Sequence, residues 1–103
     1  MSEVSEVFAE RRLRLRLSDA IRAIAVQLGP VVRKDGGAFC CYALTGFDRA
    51  ISREIWGLDD VQAIQLAFVS IGADLDRLGG DGRYSVEGDS DGEVGHGFPP
   101  LGQ

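Results

Sequence analysis

Hydrophobic residues recur at every second position through the first half of the chain, and at every third or fourth position in one later stretch. That change of period constrains the fold more than any other feature, because a two-residue repeat builds half-buried strands and a 3.6-residue repeat builds an amphipathic helix. In residues 7–17, Val7, Ala9, Leu13, Leu15 and Leu17 fall on one face and Glu10, Arg12, Arg14 and Arg16 on the other. Ser18-Asp19 marks a turn, and Ile24, Val26 and Leu28 continue the alternation in a second strand, predicting a hairpin. Gly29-Pro30 interrupts the ladder, since proline has no N–H, and implies a bend or an edge before Val31–Lys34 resumes. Asp35-Gly36-Gly37 turns the chain into a third strand, residues 38–45, apolar on both faces and so expected at the centre of the sheet. Residues 50–56 set Ile51, Arg53 and Ile55 against Ser52, Glu54 and Trp56, a fourth strand.

After Gly57 the period lengthens. Leu58-Asp59-Asp60 opens a helix whose start favours acidic residues, both as caps and beside the positive end of the helix dipole. Val61, Ile64, Phe68, Ile71, Leu75 and Leu78 form a stripe expected to face the sheet, and Gly79-Gly80 ends the run. A second stripe, Leu58, Gln62, Leu66, Val69 and Ala73, lies about half a turn away, where an outward helix face is normally polar. Either the sheet curls around the helix or a second subunit covers that side. A short fifth strand is expected at residues 83–87.

At 103 residues the chain has room for one domain, taken as 1–103 with an ordered core of about 7–87. Residues 88–103 read as a Gly-rich acidic tail, anchored in part by Phe98 and Leu101, because residues 79–103 hold eight of the fourteen glycines. The net charge of -5 argues against nucleic acid and anionic membranes as partners. It is an average of unlike halves: residues 1–56 carry nine basic and seven acidic residues, residues 57–103 two and nine. The acidic start lacks the basic and apolar regions of a secretory signal, no apolar run reaches the ~18 residues of a membrane span, and a cytoplasmic protein is expected. Cys40 and Cys41 are adjacent, so on a strand they point to opposite faces and suit neither a structural disulfide nor a shared zinc. They read as reduced thiols.

No catalytic, cofactor or metal constellation emerges from the spacing. Asp89-Ser90-Asp91-Gly92-Glu93 has carboxylates for calcium, but its glycine is fourth rather than sixth, and position twelve is Pro100 rather than glutamate. Gly79-Gly80-Asp81-Gly82 has neither the lysine nor the helix of a phosphate loop. His96 stands between two glycines with no orienting partner, and Cys40/Cys41 lack an activating cation. Arg12, Arg14 and Arg16 form a basic ladder spaced about 6.5–7 Å apart. Such a ladder is either a solvated face paired with acids of this chain or a surface for an acidic partner. Gln62 and Gln65 interrupt an otherwise apolar helix, as polar groups within a subunit interface do.

The helix Gly57-Leu58-Asp59-Asp60-Val61-Gln62-Ala63-Ile64-Gln65-Leu66-Ala67, with Ile71–Leu75 and the terminal Gly97-Phe98-Pro99, resembles a family of small uncharacterised bacterial proteins. The resemblance spans most of residues 8–100. It implies a small α+β domain that includes the Gly97-Phe98-Pro99 segment, and it carries over no catalytic residue.

The sequence therefore predicts an α+β domain: a four- to five-stranded, mainly antiparallel sheet with one long helix packed on it, in β-β-β-β-α-β order. The leading functional expectation is a non-enzymatic protein-interaction module, immunity-like or regulatory, that forms a homodimer. Its surface would be Arg12, Arg14 and Arg16 or the helix stripe of Leu58, Gln62, Leu66 and Val69. One alternative is a small-molecule or anion binder, or minor enzyme, using Arg14, Arg53 or Tyr42 in the sheet–helix groove. Another is an RNA-associated protein using the Arg12/Arg14/Arg16 face.

Overall fold

The computed structural model describes residues 6–16, 20–46, 50–79, 85–88 and 98. Its elements are β1 (Ala9–Arg16), β2 (Ile21–Lys34), β3 (Gly37–Thr45), β4 (Ile51–Gly57), α1 (Asp60–Gly79) and β5 (Ser85–Gly88). The five strands make one antiparallel sheet in the order β4-β3-β2-β1-β5. The first four strands form a meander. α1 then carries the chain across one face, so that β5 pairs with β1 at the far edge, Leu13 opposite Gly88 and Arg16 opposite Ser85. The α+β architecture and its β-β-β-β-α-β order follow the sequence reading. No helix among the described residues is long and apolar enough to cross a membrane.

Local chemistry fixes the register. Asp35 (φ 54°) and Gly36 (φ 80°) are both left-handed, as a two-residue hairpin turn requires, and they close β2 onto β3 at the Lys34–Gly37 pair. Gly29-Pro30 forms a bulge: Leu28 pairs with Tyr42 and Val31 with Cys40, leaving two residues of β2 opposite Cys41 alone. The extra residue keeps both Leu28 and Val31 on the inner face, so β2 runs through the sheet interior despite its proline. Gly46 (φ 99°) admits no side chain, since a Cβ there would lie 2.5 Å from the Ala23 carbonyl oxygen.

The core lies between the sheet and α1. Leu13, Leu15, Ile24, Val26, Tyr42 and Leu44 meet Ala63, Ala67, Ile71 and Leu75, all buried. Each large side chain so covered contributes on the order of 1.5–3 kcal/mol. The helix stripe differs in phase from the expected one. Val61, expected inside, is 63% exposed, whereas Ala63, Ala67 and Asp74 face the sheet with Ile71 and Leu75; Ile64 and Phe68 pack at the flank. Alanines let the helix axis approach closely, and at Gly57 the approach is so near that a Cβ would meet the Ala63 nitrogen at 2.4 Å. The stripe of Leu58, Gln62, Leu66, Val69 and Ala73 is neither enclosed by the sheet nor fully open: Leu58 and Leu66 are exposed, the other three half-buried.

The opposite face of the sheet carries no second layer among the described residues. Residues 89–93, His96 and Leu101, considered above as ligands, base or anchor, lie outside the described residues.

Candidate functional site

The most concentrated chemistry inside the molecule surrounds Asp74. Tyr42 on β3 sits directly opposite Arg53 on β4, and α1 lays Ser70 and Asp74, one turn apart, over that pair. The Asp74 side chain is 1% exposed, and all its acceptor capacity is used. Tyr42 donates its hydroxyl to Oδ2 at 2.5 Å, and Arg53 donates Nε to Oδ2 at 2.8 Å and Nη2 to Oδ1 at 2.9 Å. Arg77, three residues on, donates Nη2 to Oδ1. Because the Tyr42 hydrogen points to Asp74, the Ser70 hydroxyl, 2.6 Å away, donates to the Tyr42 oxygen.

These contacts set the protonation states. Burial pushes the Asp74 carboxyl up, but the hydrogen bonds from Arg53 and Tyr42 and the charges of Arg53 and Arg77 outweigh it and hold the group below its usual range. Burial, then the hydrogen bond to Asp74, pushes Tyr42 up to about 12. Arg53 is raised, chiefly by its hydrogen bond to Asp74. The cluster is a closed electrostatic clasp between sheet and helix, with no buried side-chain nitrogen or oxygen among the described residues left without a partner. Tyr42 and Arg53, considered as anion ligands in the sheet–helix groove, are both engaged by Asp74, and Arg14 lies on the other face of the sheet.

That other face presents a different surface. Strand alternation sets Arg12, Arg14 and Arg16 on β1 opposite Ala25, Ala23 and Ile21 of β2. At the diagonal corner, Val32, Phe39 and Trp56 form one cross-strand row over β2, β3 and β4. Trp56 is 47% exposed, and its indole lies flat on Gly37, where a Cβ would come within 2.6 Å of the ring. Cys41 and Pro30 adjoin this row, and Phe8 at the start of β1 is 75% exposed. Cys40 is buried on the helix side, Cys41 is half-buried on the open face, and both are free, as their adjacency implied. Burial raises both thiols, and Glu54 raises Cys41 further, so neither is primed as a thiolate.

The structure thus brings Arg12, Arg14 and Arg16 together on one face. Arg12 Nε contacts Glu10 Oε1 at 3.2 Å within β1, and Gln27 of β2 donates to the other Glu10 oxygen at 3.0 Å, so Arg12 is paired with an acid of its own strand. The helix residues are on the opposite side of the molecule. Gln62 has an intramolecular role: Asp59 Oδ1 caps the helix by accepting the Gln62 N–H at 2.8 Å, and Gln62 Oε1 reaches back to accept the N–H of Leu58, the residue before the cap, at 2.7 Å. Leu58 is 66% exposed beside it. Next to this cap, Arg33 clamps Asp60 through Nε at 2.9 Å and Nη2 at 2.7 Å, joining the β2–β3 hairpin to the helix start across an open cleft. No group of three or more metal-ligating side chains occurs among the described residues.

A family model described as a domain of unknown function, DUF6968, matches residues 9–100. The chain belongs to that family. No curated protein and no solved structure matches it. The match extends past β5 to include Phe98, whose ring packs 5.9 Å from that of Phe68, so the terminal segment belongs to the family's domain, as the resemblance implied.

Sequence reasoning missed two features of these surfaces. Asp74 sits on the apolar side of the helix, where three steps from Ile71 would place it inward, and that position is the signal for a buried carboxylate needing a cation. Phe39 and Trp56 each alternate to the outer face of their strands, but only strand register reveals that they are neighbours.

Proposed function

We propose that the protein is an interaction module that docks another protein on the open face of its sheet. The row Val32–Phe39–Trp56 carries the reading: a solvent-facing aromatic pair, backed by Gly37, on a face that no second layer covers among the described residues. Tryptophan and arginine are the residue types that most often dominate interface energetics. Five strands about 4.8 Å apart and roughly 25 Å long offer on the order of 600 Å², near the ~800 Å² each partner gives a standard interface. Among the described residues this face holds Arg12, Arg14, Arg16 and Lys34 against Glu10, Glu54 and, at the register position opposite Arg14, Glu87, a basic excess of one on an acidic chain. The fitting partner is a protein with an apolar anchor for the Trp56 corner and carboxylates for the β1 ladder.

Affinity capture from a lysate of the native cells, with and without nuclease, tests this, with the wild type, Trp56→Ala, the triple variant Arg12→Glu/Arg14→Glu/Arg16→Glu and Leu58→Asp/Leu66→Asp as baits. The reading expects one stoichiometric protein on the wild type and the helix variant, lost from both sheet variants. Loss only from the helix variant, or retention that nuclease abolishes, overturns it, the latter in favour of RNA on the same arginines and aromatics. A second reading, supported by the exposure of Leu58, Val61 and Leu66 along α1, is a homodimer through the helix. It expects a dimeric mass by light scattering that Leu58→Asp/Leu66→Asp halves; a monomeric wild type removes it.

A further inference from the structure

The two edges of the sheet are unlike. β5 is four residues long, the kind of short edge that limits pairing with other chains. β4 is seven residues long, pairs with β3 without a register shift from Leu44–Ile51 to Ala38–Gly57, and holds neither proline nor lysine. Its outer side offers about 24 Å of backbone N–H and C=O groups that no described strand meets. Both faces beside this edge carry apolar groups: Trp56 is 47% exposed on the open face, and Ile51 and Ile55 are half-buried on the helix face. α1 extends the same boundary. Phe68 leans toward Val26, Leu28 and Phe98, so Leu66, two residues earlier and about 200° round the helix, leans the other way, to the β4 side. Leu66 is 42% exposed, and Ala73, two turns on along that flank, is half-buried. The β4 edge and this flank form a strip about 24 Å long and roughly 20 Å deep, on the order of 500 Å² per copy, so that two copies reach the ~1,000 Å² a specific interface clears.

From an unblocked seven-residue edge continuous with an apolar helix flank, we propose that a second copy of the chain pairs there, β4 antiparallel to β4, to make one ten-stranded sheet. This rests on the homodimer reading above and moves its centre from the outer helix face to the sheet edge. The two-fold axis of such a pair is normal to the sheet, so both helices stand on one face. α1 lies over β3 and β4, with Asp74 bonded to Tyr42 and Arg53, one to one and a half strand spacings from that axis. The two helix axes then stand roughly 10–14 Å apart, close to the 10–12 Å width of a helix with its side chains. Leu66 and Ala73 of each copy line the seam, which an unrelated extended peptide on β4 would leave bare. Opposed residues of the two strands share a face. Glu54 opposite Glu54 would set like charges together, whereas a shift of two residues either way brings isoleucines together, Ile51 to Ile55 or Ile55 to Ile55.

Light scattering and amide hydrogen exchange on the full-length protein test the pairing. The wild type should have twice the mass of one chain, and consecutive amides of β4 should be protected, because those that alternate outward gain partners from the second copy. Ser52→Lys/Glu54→Lys puts on the edge the lysines that natural sheets use against pairing. It should halve the mass and leave only every second β4 amide protected, with the circular dichroism of the fold unchanged. Val61→Asp, on the helix flank away from β4, should leave the dimer intact. A monomeric wild type overturns the proposal, and so does a dimer in which only every second β4 amide is protected. A dimer that survives the lysines, or one that Val61→Asp dissolves, overturns it too, the latter in favour of the outer helix face. A monomeric wild type removes both homodimer readings and the other outcomes only this one, while docking of another protein on the open face is tested separately.

Discussion

Replacing Asp74 with alanine removes the acceptor of four hydrogen bonds at the sheet–helix boundary. The loss is not the sum of four strong bonds. Arg53 and Arg77 have side chains 43% and 69% exposed and turn to water, and Tyr42 retains its Ser70 contact. What cannot be recovered is the buried hydroxyl's acceptor and the packing of the clasp, so the cost falls near the low end for a broken buried ion pair, about 3 kcal/mol. For a domain of this size 1 kcal/mol moves the melting temperature by about 4–8 °C, and the expected drop is roughly 12–24 °C by far-ultraviolet circular dichroism. Tyr42→Phe, which removes only the hydroxyl, should cost about 1 kcal/mol, and the double variant should lose less than the two single losses added. A drop below about 4 °C for Asp74→Ala, or full additivity in the cycle, would refute the claim that this cluster holds α1 to the sheet.

The same cluster dictates pH behaviour with opposite signs. Asp74 has a folded value below its unfolded 3.8, so its stabilisation is complete above that pH and is lost as pH falls through the folded value; acid denaturation should begin at higher pH in Asp74→Asn than in wild type. Tyr42, raised from 10 to about 12, stabilises fully below pH 10 and loses that contribution as pH climbs toward 12; its phenolate absorbance should appear late in alkali, and earlier in Asp74→Asn. Asp59→Ala should cost about 1 kcal/mol through the lost helix cap, read by urea unfolding. Gly57→Ala puts a Cβ against the backbone of α1 and should cost on the order of 3 kcal/mol, whereas Gly37→Ala meets only the movable Trp56 ring; it should change the fluorescence of the chain's one tryptophan with little loss of stability.

Much of this fold is written in short-range pattern. Strict alternation located β1 and β4, the Asp35-Gly36 turn joined β2 to β3, and Asp59-Asp60 marked the start of α1 within a residue or two. The placement of β5 beside β1 was not legible, because a four-residue strand has no pattern that names its neighbour. The helix phase was misjudged for a physical reason: hydrophobicity ranks Val61 above Ala63, but a helix pressed close to a sheet needs its smallest residues at the contact. Arg12, Arg14 and Arg16 were found as a set because they share one strand. The Phe39–Trp56 pair and the Tyr42–Arg53–Asp74 clasp depend on register between strands and on helix phase, and no local window contains either.

The central functional claim is that the open sheet face, and not α1, meets the partner. The most direct test is to add the captured partner to isotope-labelled protein and map backbone and Trp56 indole resonances. Perturbations centred on Val32, Phe39 and Trp56 and extending to Arg12, Arg14 and Arg16, with Leu58, Leu66 and Val69 unmoved, are the predicted result. Perturbations centred on Leu58, Leu66 and Val69, with the Trp56 indole unchanged, would contradict it.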